Sequence, residues 1–239
     1  MVVVIPYLNN PLDLAVLLTQ LQSQTVAPTA IYIADNSVDG SGFEIAKRYH
    51  FSVPIAVQKK VGSIHESWNA GIKFAQEDDV AILNDDVMIP NNFIEIYNIY
   101  LSTKDAMMFC PANDGFPPTE AIRKGYQWNN KGSLTNYETL EAQEYVLPPS
   151  LRGWCMVIPH STIKTVGLFD EKFNLYFGDK DYEARIFEAK GKIGFISGCF
   201  VNHFGSSSTK RMESKDVNDH YNHDETYYMQ KHNIPLSKK

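Results

Sequence analysis

Cysteine is scarce in this chain: its 239 residues hold three, Cys110, Cys155 and Cys199, far apart and set among apolar neighbours. An odd, dispersed set excludes a disulfide scaffold and a zinc-type spacing, and reads as buried thiols in a reducing compartment. Long apolar runs are missing too. The opening MVVVIPYLNN offers only Met1 to Ile5, too short for a membrane span and without the basic flank of a secretion signal. No later stretch approaches the ~20 apolar residues of a transmembrane helix. The chain is therefore expected to be cytoplasmic, with no transmembrane segment, and with peripheral attachment to a membrane through the C-terminal tail left open. Positive charge is not in excess: 22 Lys and Arg stand against 28 Asp and Glu, a formal net charge of -6. No global basic field exists to grip nucleic acid, and a nucleic-acid partner stays open only through a local patch at Arg123, Lys124 and Lys131. No repeat of solenoid length is visible.

What the sequence does have is 44% hydrophobic residues, enough for one core and one domain, or a domain with a small appendage. The first half alternates strand-length apolar runs with amphipathic segments, the pattern of a sheet with parallel strands and crossover helices. Strands are predicted over Val2 to Ile5, Ala30 to Ala34, Pro54 to Val57 and Val80 to Leu83, and helices over Pro11 to Gln22, Gly42 to Tyr49 and Ser63 to Gln76. Leu14, Leu17, Leu18 and Leu21 mark a core-facing stripe, and Pro11 suits a first helical turn. A helix over Pro90 to Leu101 and a strand over Ala106 to Pro111 follow. From Asn113 to Ser150 the pattern dissolves into Gly, Pro, Asn and aromatics, among them Phe116, Tyr126, Trp128 and Tyr137. Such a segment inside a compact domain is usually functional or mobile. Order returns with a strand over Gly153 to Ile158, helices over His160 to Val166 and Phe177 to Lys190, strands over Lys192 to Ile196 and Cys199 to His203, and a last helix over Ser214 to Lys231.

Within this frame, VAILNDDVMIPNNF is the most informative stretch, because an apolar strand empties into Asn84-Asp85-Asp86. That puts two carboxylates at the carboxyl end of a buried strand, the edge where α/β sheets bind ligands. Hard carboxylate oxygens suit a divalent metal that also holds phosphates. The same two residues could instead cap the helix near Pro90, and the segment alone leaves both readings open. Asp179-Lys180-Asp181 and His203 also close apolar segments. Singly, each has a local reading: a helix cap for Asp179, a first-turn carboxylate for Asp181, a turn residue for His203. His220 and His223 share a helical face without a carboxylate-rich partner, and read as surface residues.

The order of these pieces resembles the inverting nucleotide-sugar glycosyltransferases of family two, with the GT-A fold. VVIPYLNN looks like that family's opening strand and loop, LQSQT its helix end, IADNSVDGS its second strand with the acidic turn. KKVGSIHESWNAGIKFA resembles the asparagine-alanine-glycine helix, LNDDV occupies the place of the acidic metal motif, GWCMVIPHSTIKTVGLFDEKFNLYFGDKDYEARI resembles the acceptor-side block, and VNHFGSSS the closing histidine. The resemblance implies an α/β GT-A domain with a mixed, mostly parallel sheet over 1–205, divided into a nucleotide-sugar half (1–111) and an acceptor half (112–205), with a C-terminal lid and tail at 206–239.

By position it implies that Asp35 bonds the nucleotide base, Asp39 lies near the ribose, and Pro6 shapes the loop beneath the base. Tyr7, Asn9, Ser37, Lys60, Gly62, Trp68, Asn69 and Asn84 join the donor side, with Trp68, like His65, bordering either the donor pocket or the core. Asp86 and His203 would bind Mn2+ or Mg2+, and Asp85 would reach the ribose, or the metal through water. Asp179 aligns with the catalytic base, although Gly178 stands where the family most often has Glu. Asp181 is the second candidate, or a structural residue paired with Arg185. Gly153 and Trp154 fall on the acceptor and sugar side, where Trp154 either stacks on a sugar or packs in the core. The implied reaction moves a hexosyl or pentosyl group from a UDP or dTDP donor to a glycan, lipid-linked or other hydroxyl, with SSSTKR at 206–211 as a lid or a solvated connector. Two alternatives stand: a non-catalytic nucleotide-sugar or carbohydrate-binding scaffold, kept open by Gly178, and a sugar-phosphate nucleotidylyltransferase. The latter wants a Gly-rich basic loop after the first strand, and this chain has PYLNNP.

Overall fold

The computed structural model describes residues 1–103, 105–111, 137–140, 153–196, 199, 201–204 and 214–235, the side chains of 137–140 and 195 excepted. Phe116, Arg123, Lys124, Tyr126, Trp128, Lys131 and the segment 206–211 lie outside the described residues. The chain opens with β1 (Val2–Tyr7), α1 (Pro11–Gln22), β2 (Ala30–Asp35), α2 (Ser41–Ala46), β3 (Ile55–Lys59), α3 (Ile64–Ala75) and β4 (Val80–Leu83). After β5 (Val87–Met88) come α4 (Phe93–Thr103), β6 (Met108–Pro111), β7 (Tyr137–Leu140), β8 (Cys155–Ile158), α5 (His160–Val166), α6 (Gly178–Glu188), β9 (Ile193–Ile196), β10 (Asn202–His203) and α7 (Ser214–Lys231).

Eight strands form one sheet in the order β3-β2-β1-β4-β8-β6-β9-β7. β1 pairs in parallel with β2 and β4, and β2 with β3, so the first four strands share a direction. β8 runs against both β4 and β6, and β7 against β9. The result is the mixed, mostly parallel sheet flanked by helices that the alternation predicts. Side chains alternate across it with period two. Val3, Ile5 and Tyr7 enter a core with the α1 leucines, Phe93 and Tyr97, while Val2 and Val4 enter the opposite core with Trp68, Ile72, Tyr182 and Ile186. Val80 to Leu83 are fully buried because both faces of β4 are covered, which explains their unbroken apolar run.

The antiparallel turn of β8 matters for function. Leu83, last in β4, pairs with Cys155, first in β8, so the acidic loop after β4 and the Gly153-Trp154 approach to β8 share one rim of the sheet. A second, two-stranded sheet at that rim pairs Val87 with His203 and Met88 with Asn202. Among the described residues only Asn202 and His203 find this partner, so of the longer strand expected over Cys199 to His203 two residues pair. Helix α4 begins at Phe93 rather than Pro90, because Phe93 N–H turns back onto the Pro90 carbonyl at 3.1 Å. Helix α3 carries a capping box: Glu66 N–H donates to Ser63 Oγ and Ser63 N–H to Glu66 Oε2 at 2.6 Å. Among the described residues no helix is long and apolar enough to cross a membrane.

Candidate active site

The short ladder between β5 and β10 brings two candidate ligands together. His203 Nε2 lies 3.1 Å from Asp86 Oδ1, and Phe204 N–H donates to the Asp86 carbonyl at 3.0 Å, fixing both backbones. Asp86 is buried, and the His203 ring stacks on Trp154 with centroids 5.0 Å apart and planes 13° from parallel. Trp154 is itself tied to the acidic loop, its carbonyl accepting from Asn84 N–H at 3.0 Å. Its preceding residue, Gly153, lies against Asp179: a Cβ added at Gly153 would sit 2.7 Å from Asp179 Oδ2. Asp86, His203, Trp154, Gly153 and Asp179 thus form one contiguous chain of contacts along the rim.

Electrostatics differ along it. Asp85 is buried, accepts a long 3.4 Å hydrogen bond from Leu8 N–H, and is pushed up to about 8 by burial and by the adjacent Asp86, against the hydrogen bonding of the Leu8 amide and the Asn10 side chain. Burial also raises Asp179, against the pull of Lys180 and of the backbone N–H groups of Lys180 and Gly153. Asn84 Oδ1, in the same loop, is buried without a hydrogen-bond partner among the described residues. Among the described residues no group of three or more His, Cys, Asp and Glu side chains is arranged to hold a metal ion. The donor pair Asp86 and His203 nevertheless fits a shared cation, since two ligands at about 2.1 Å in adjacent octahedral positions stand about 3.0 Å apart. A diphosphate would supply further oxygens.

The donor-side candidates divide. Tyr7 Oη and Ser41 Oγ are 2.8 Å apart, above the end of β1. Asp35 is buried and spends its carboxylate on the chain: Ser37 N–H at 3.0 Å, the Ser37 hydroxyl, and Phe43 N–H at 2.9 Å. Exposed Asp39 accepts from Ser41 N–H at 3.0 Å and is lowered by the Ser41 hydrogen bonds. Lys60, with φ +56°, donates its N–H to the Asp35 carbonyl and its residue is exposed. Gly62 N–H, with Val61 N–H, donates to Asn36 Oδ1, while Asn36 Nδ2 reaches Ser67. Asn36 therefore joins the ends of β2 and α3, a role its sequence context did not signal. Pro6 is half-buried at the end of β1, and Asn9 turns the following loop with φ +54°.

Trp68 takes the core alternative, and the Asn69 amide is engaged within the chain. Trp68 is buried with its ring edge-on to His65 and Phe169, and Asn69 uses its amide on the Phe169 backbone, accepting at 2.9 Å and donating at 2.9 Å, and on Glu171 at 2.8 Å. Both fasten α3 to the segment before α6. Asp181 is fully buried and held by Arg185 at 2.9 Å, Lys231 at 2.7 Å and His232 at 3.0 Å, so the expected Arg185 pair forms and both carboxylate oxygens are engaged. Gly178 also has a physical reason. A Cβ there would fall 2.0 Å from His65 Nε2, so the buried His65 ring, which contacts the Phe173 carbonyl at 2.9 Å through Nδ1, fills the space a side chain would need. A carbonyl only accepts, so Nδ1 carries the proton.

The sequence profile of the family described as Glycosyl transferase family 2 matches residues 2–159. No curated protein matches the chain. Among solved structures, S. aureus TarS is similar with a TM-score of 0.64 and 12% identity, over 95% of this chain and 43% of that one. S. aureus TarS 1-349 gives 0.64 and 12%, over 96% and 71%, and the same fragment in complex with UDP gives 0.63 and 13%, over 99% and 67%. The chain thus spans less than half of the full TarS chain, and a likeness at this identity shows a shared fold.

Proposed function

The chain belongs to glycosyl transferase family 2, and from that premise we propose that it moves a sugar from a nucleoside diphosphate to an acceptor hydroxyl with inversion, Asp179 acting as the base. The observation that carries the reading is the contiguous rim from Asp86 and His203 through Trp154 and Gly153 to Asp179. Inversion in one displacement needs a single carboxylate that takes the proton from the attacking hydroxyl as the bond to the anomeric carbon forms. Burial raises the Asp179 proton affinity, which strengthens it as a base. Asp86 and His203 would hold Mn2+ or Mg2+, which when bound neutralises the charge gathering on the departing diphosphate. Trp154, its ring locked on His203, presents an aromatic face to the sugar side, and Asn84 Oδ1 offers an acceptor to the donor. The UDP complex of TarS supports UDP as the first donor nucleotide to try, with dTDP second.

The test is release of nucleoside diphosphate from a panel of donors with glycan and lipid-linked acceptors. Wild type should turn over only with divalent metal. Asp179→Asn should lose about 100-fold or more in kcat with donor binding retained, and Asp86→Ala should lose metal-dependent UDP binding in a thermal shift. Full activity in both variants overturns the mechanism. A non-catalytic nucleotide-sugar scaffold is the second reading, favoured by the His65 ring that fills the space beside Gly178. Metal-dependent UDP binding without turnover on any acceptor would select it.

A further inference from the structure

The segment from Asp170 to Asp181, which delivers Asp179 to the rim, is gripped along its whole length by α7. Asp224, fully buried in that helix, accepts three consecutive backbone N–H groups: Asn174 at 2.9 Å, Leu175 at 2.8 Å and Tyr176 at 2.8 Å. His223 Nδ1 lies 2.9 Å from the same carboxylate. The next residue, Phe177, has φ +63°, a left-handed conformation that a bulky aromatic residue adopts only when its surroundings impose it. The imposing contacts are in view. The Phe177 ring meets Tyr221 at 5.3 Å and Tyr228 at 5.5 Å, both on α7, and Lys180 Nζ lies 4.7 Å over its face. At the start of the segment, Tyr227 Oη and Lys231 Nζ reach Asp170 at 2.9 and 2.7 Å, and at its end Lys231 and His232 reach Asp181.

We propose that Asp224 is a positioning residue for Asp179: by collecting the amides of 174–176 it holds Phe177 in its left-handed turn and so sets where the first turn of α6 presents the base. This rests on the reading of Asp179 given above. The physical reason is economy of geometry. A carboxylate with two oxygens can satisfy three converging N–H donors, whereas an amide has one acceptor oxygen and turns an N–H of its own against them. Although burial pushes Asp224 up, the Asn174 amide, the His223 ring and the Leu175 and Tyr176 amides hold it below the usual carboxylate range, so the anion is the form that binds the loop. A helix placed far along the chain from the rim thereby becomes part of the catalytic frame.

The experiment compares wild type with Asp224→Asn, and with Tyr221→Ala, which removes the contacts of an exposed ring with Tyr176 and Phe177 and its hydrogen bond to Glu225, and keeps the fold if Asp224→Asn does not. Hydrogen exchange at Asn174, Leu175 and Tyr176 should speed up by about 100-fold in Asp224→Asn, and the 13C-detected midpoint of the Asp179 carboxyl should fall toward an ordinary Asp as the turn opens to water. In turnover assays kcat should drop 10- to 100-fold in Asp224→Asn and about 3- to 10-fold in Tyr221→Ala, with KM for the donor changed less than twofold. A purely structural role would lower the folded fraction and leave the Asp179 midpoint and the kcat of the folded fraction alone, and that result overturns the proposal. If wild type itself turns nothing over, the reaction assignment fails, while amide exchange and the Asp179 midpoint still decide whether Asp224 places that side chain.

Discussion

Asp85 and Asp86 are adjacent in the chain yet do opposite things. Asp86 turns toward His203, whereas Asp85 turns into the protein beneath the Leu8 amide and is pushed up to about 8. Because the folded protein holds the Asp85 proton more tightly than the unfolded chain does, Asp85 favours folding fully below about pH 4, and that contribution fades as the pH rises toward 8. Asp85→Asn removes the titration. In metal-free protein it should raise Tm by about 5 °C at pH 8 and change it little at pH 4, and calorimetry at the two pH values checks this. At the same scale, the acceptor-side glycine is explained by what lies over it: Gly153 has no Cβ because the Asp179 carboxylate occupies that place.

At the scale of elements, the start of α6 is where packing and chemistry constrain the same few atoms. Gly178→Ala would drive a methyl into the His65 ring, and overpacking of this kind costs about 1–3 kcal/mol. Urea unfolding should show that loss, and adding His65→Ala to Gly178→Ala should recover part of it, because the ring that clashes is gone. The helices α1, α5 and α7 and the strand β4 were legible to their end residues, since periodicity, prolines and the apolar run mark them locally. β5 was not, because a two-residue strand has no period and exists only through its pairing with β10. The same division runs through the site. Asp86, His203 and Asp179 stand out because each closes an apolar segment within an ordered block, whereas Asn36 and Asp224 bind the backbone of distant segments and leave no local mark, and His65 could be placed only at the donor pocket or in the core. Trp68 was open between the donor pocket and the core, and Asn69 was expected on the donor side, because an indole or an amide looks alike whether it faces a ligand or fastens a helix.

For the whole molecule, the two cores on either face of the sheet enclose all three cysteines. Burial raises the Cys155 and Cys199 thiols, and none of the three is exposed. Ellman's reagent at pH 8 should therefore label the native protein at least about 1000-fold more slowly than a free thiol, and all three sulfurs should react together once urea unfolds it. The two-pair ladder that carries His203 to the acidic loop has a consequence in time. Val87 and His203 are far apart in sequence, their pairing gains few hydrogen bonds, and closing so long a loop is entropically dear before the large sheet exists. Refolding should accordingly restore tryptophan burial first and the capacity to bind UDP with Mn2+ only in a later phase, so that newly made chains pass through a compact, unarmed stage before they acquire affinity for the nucleotide.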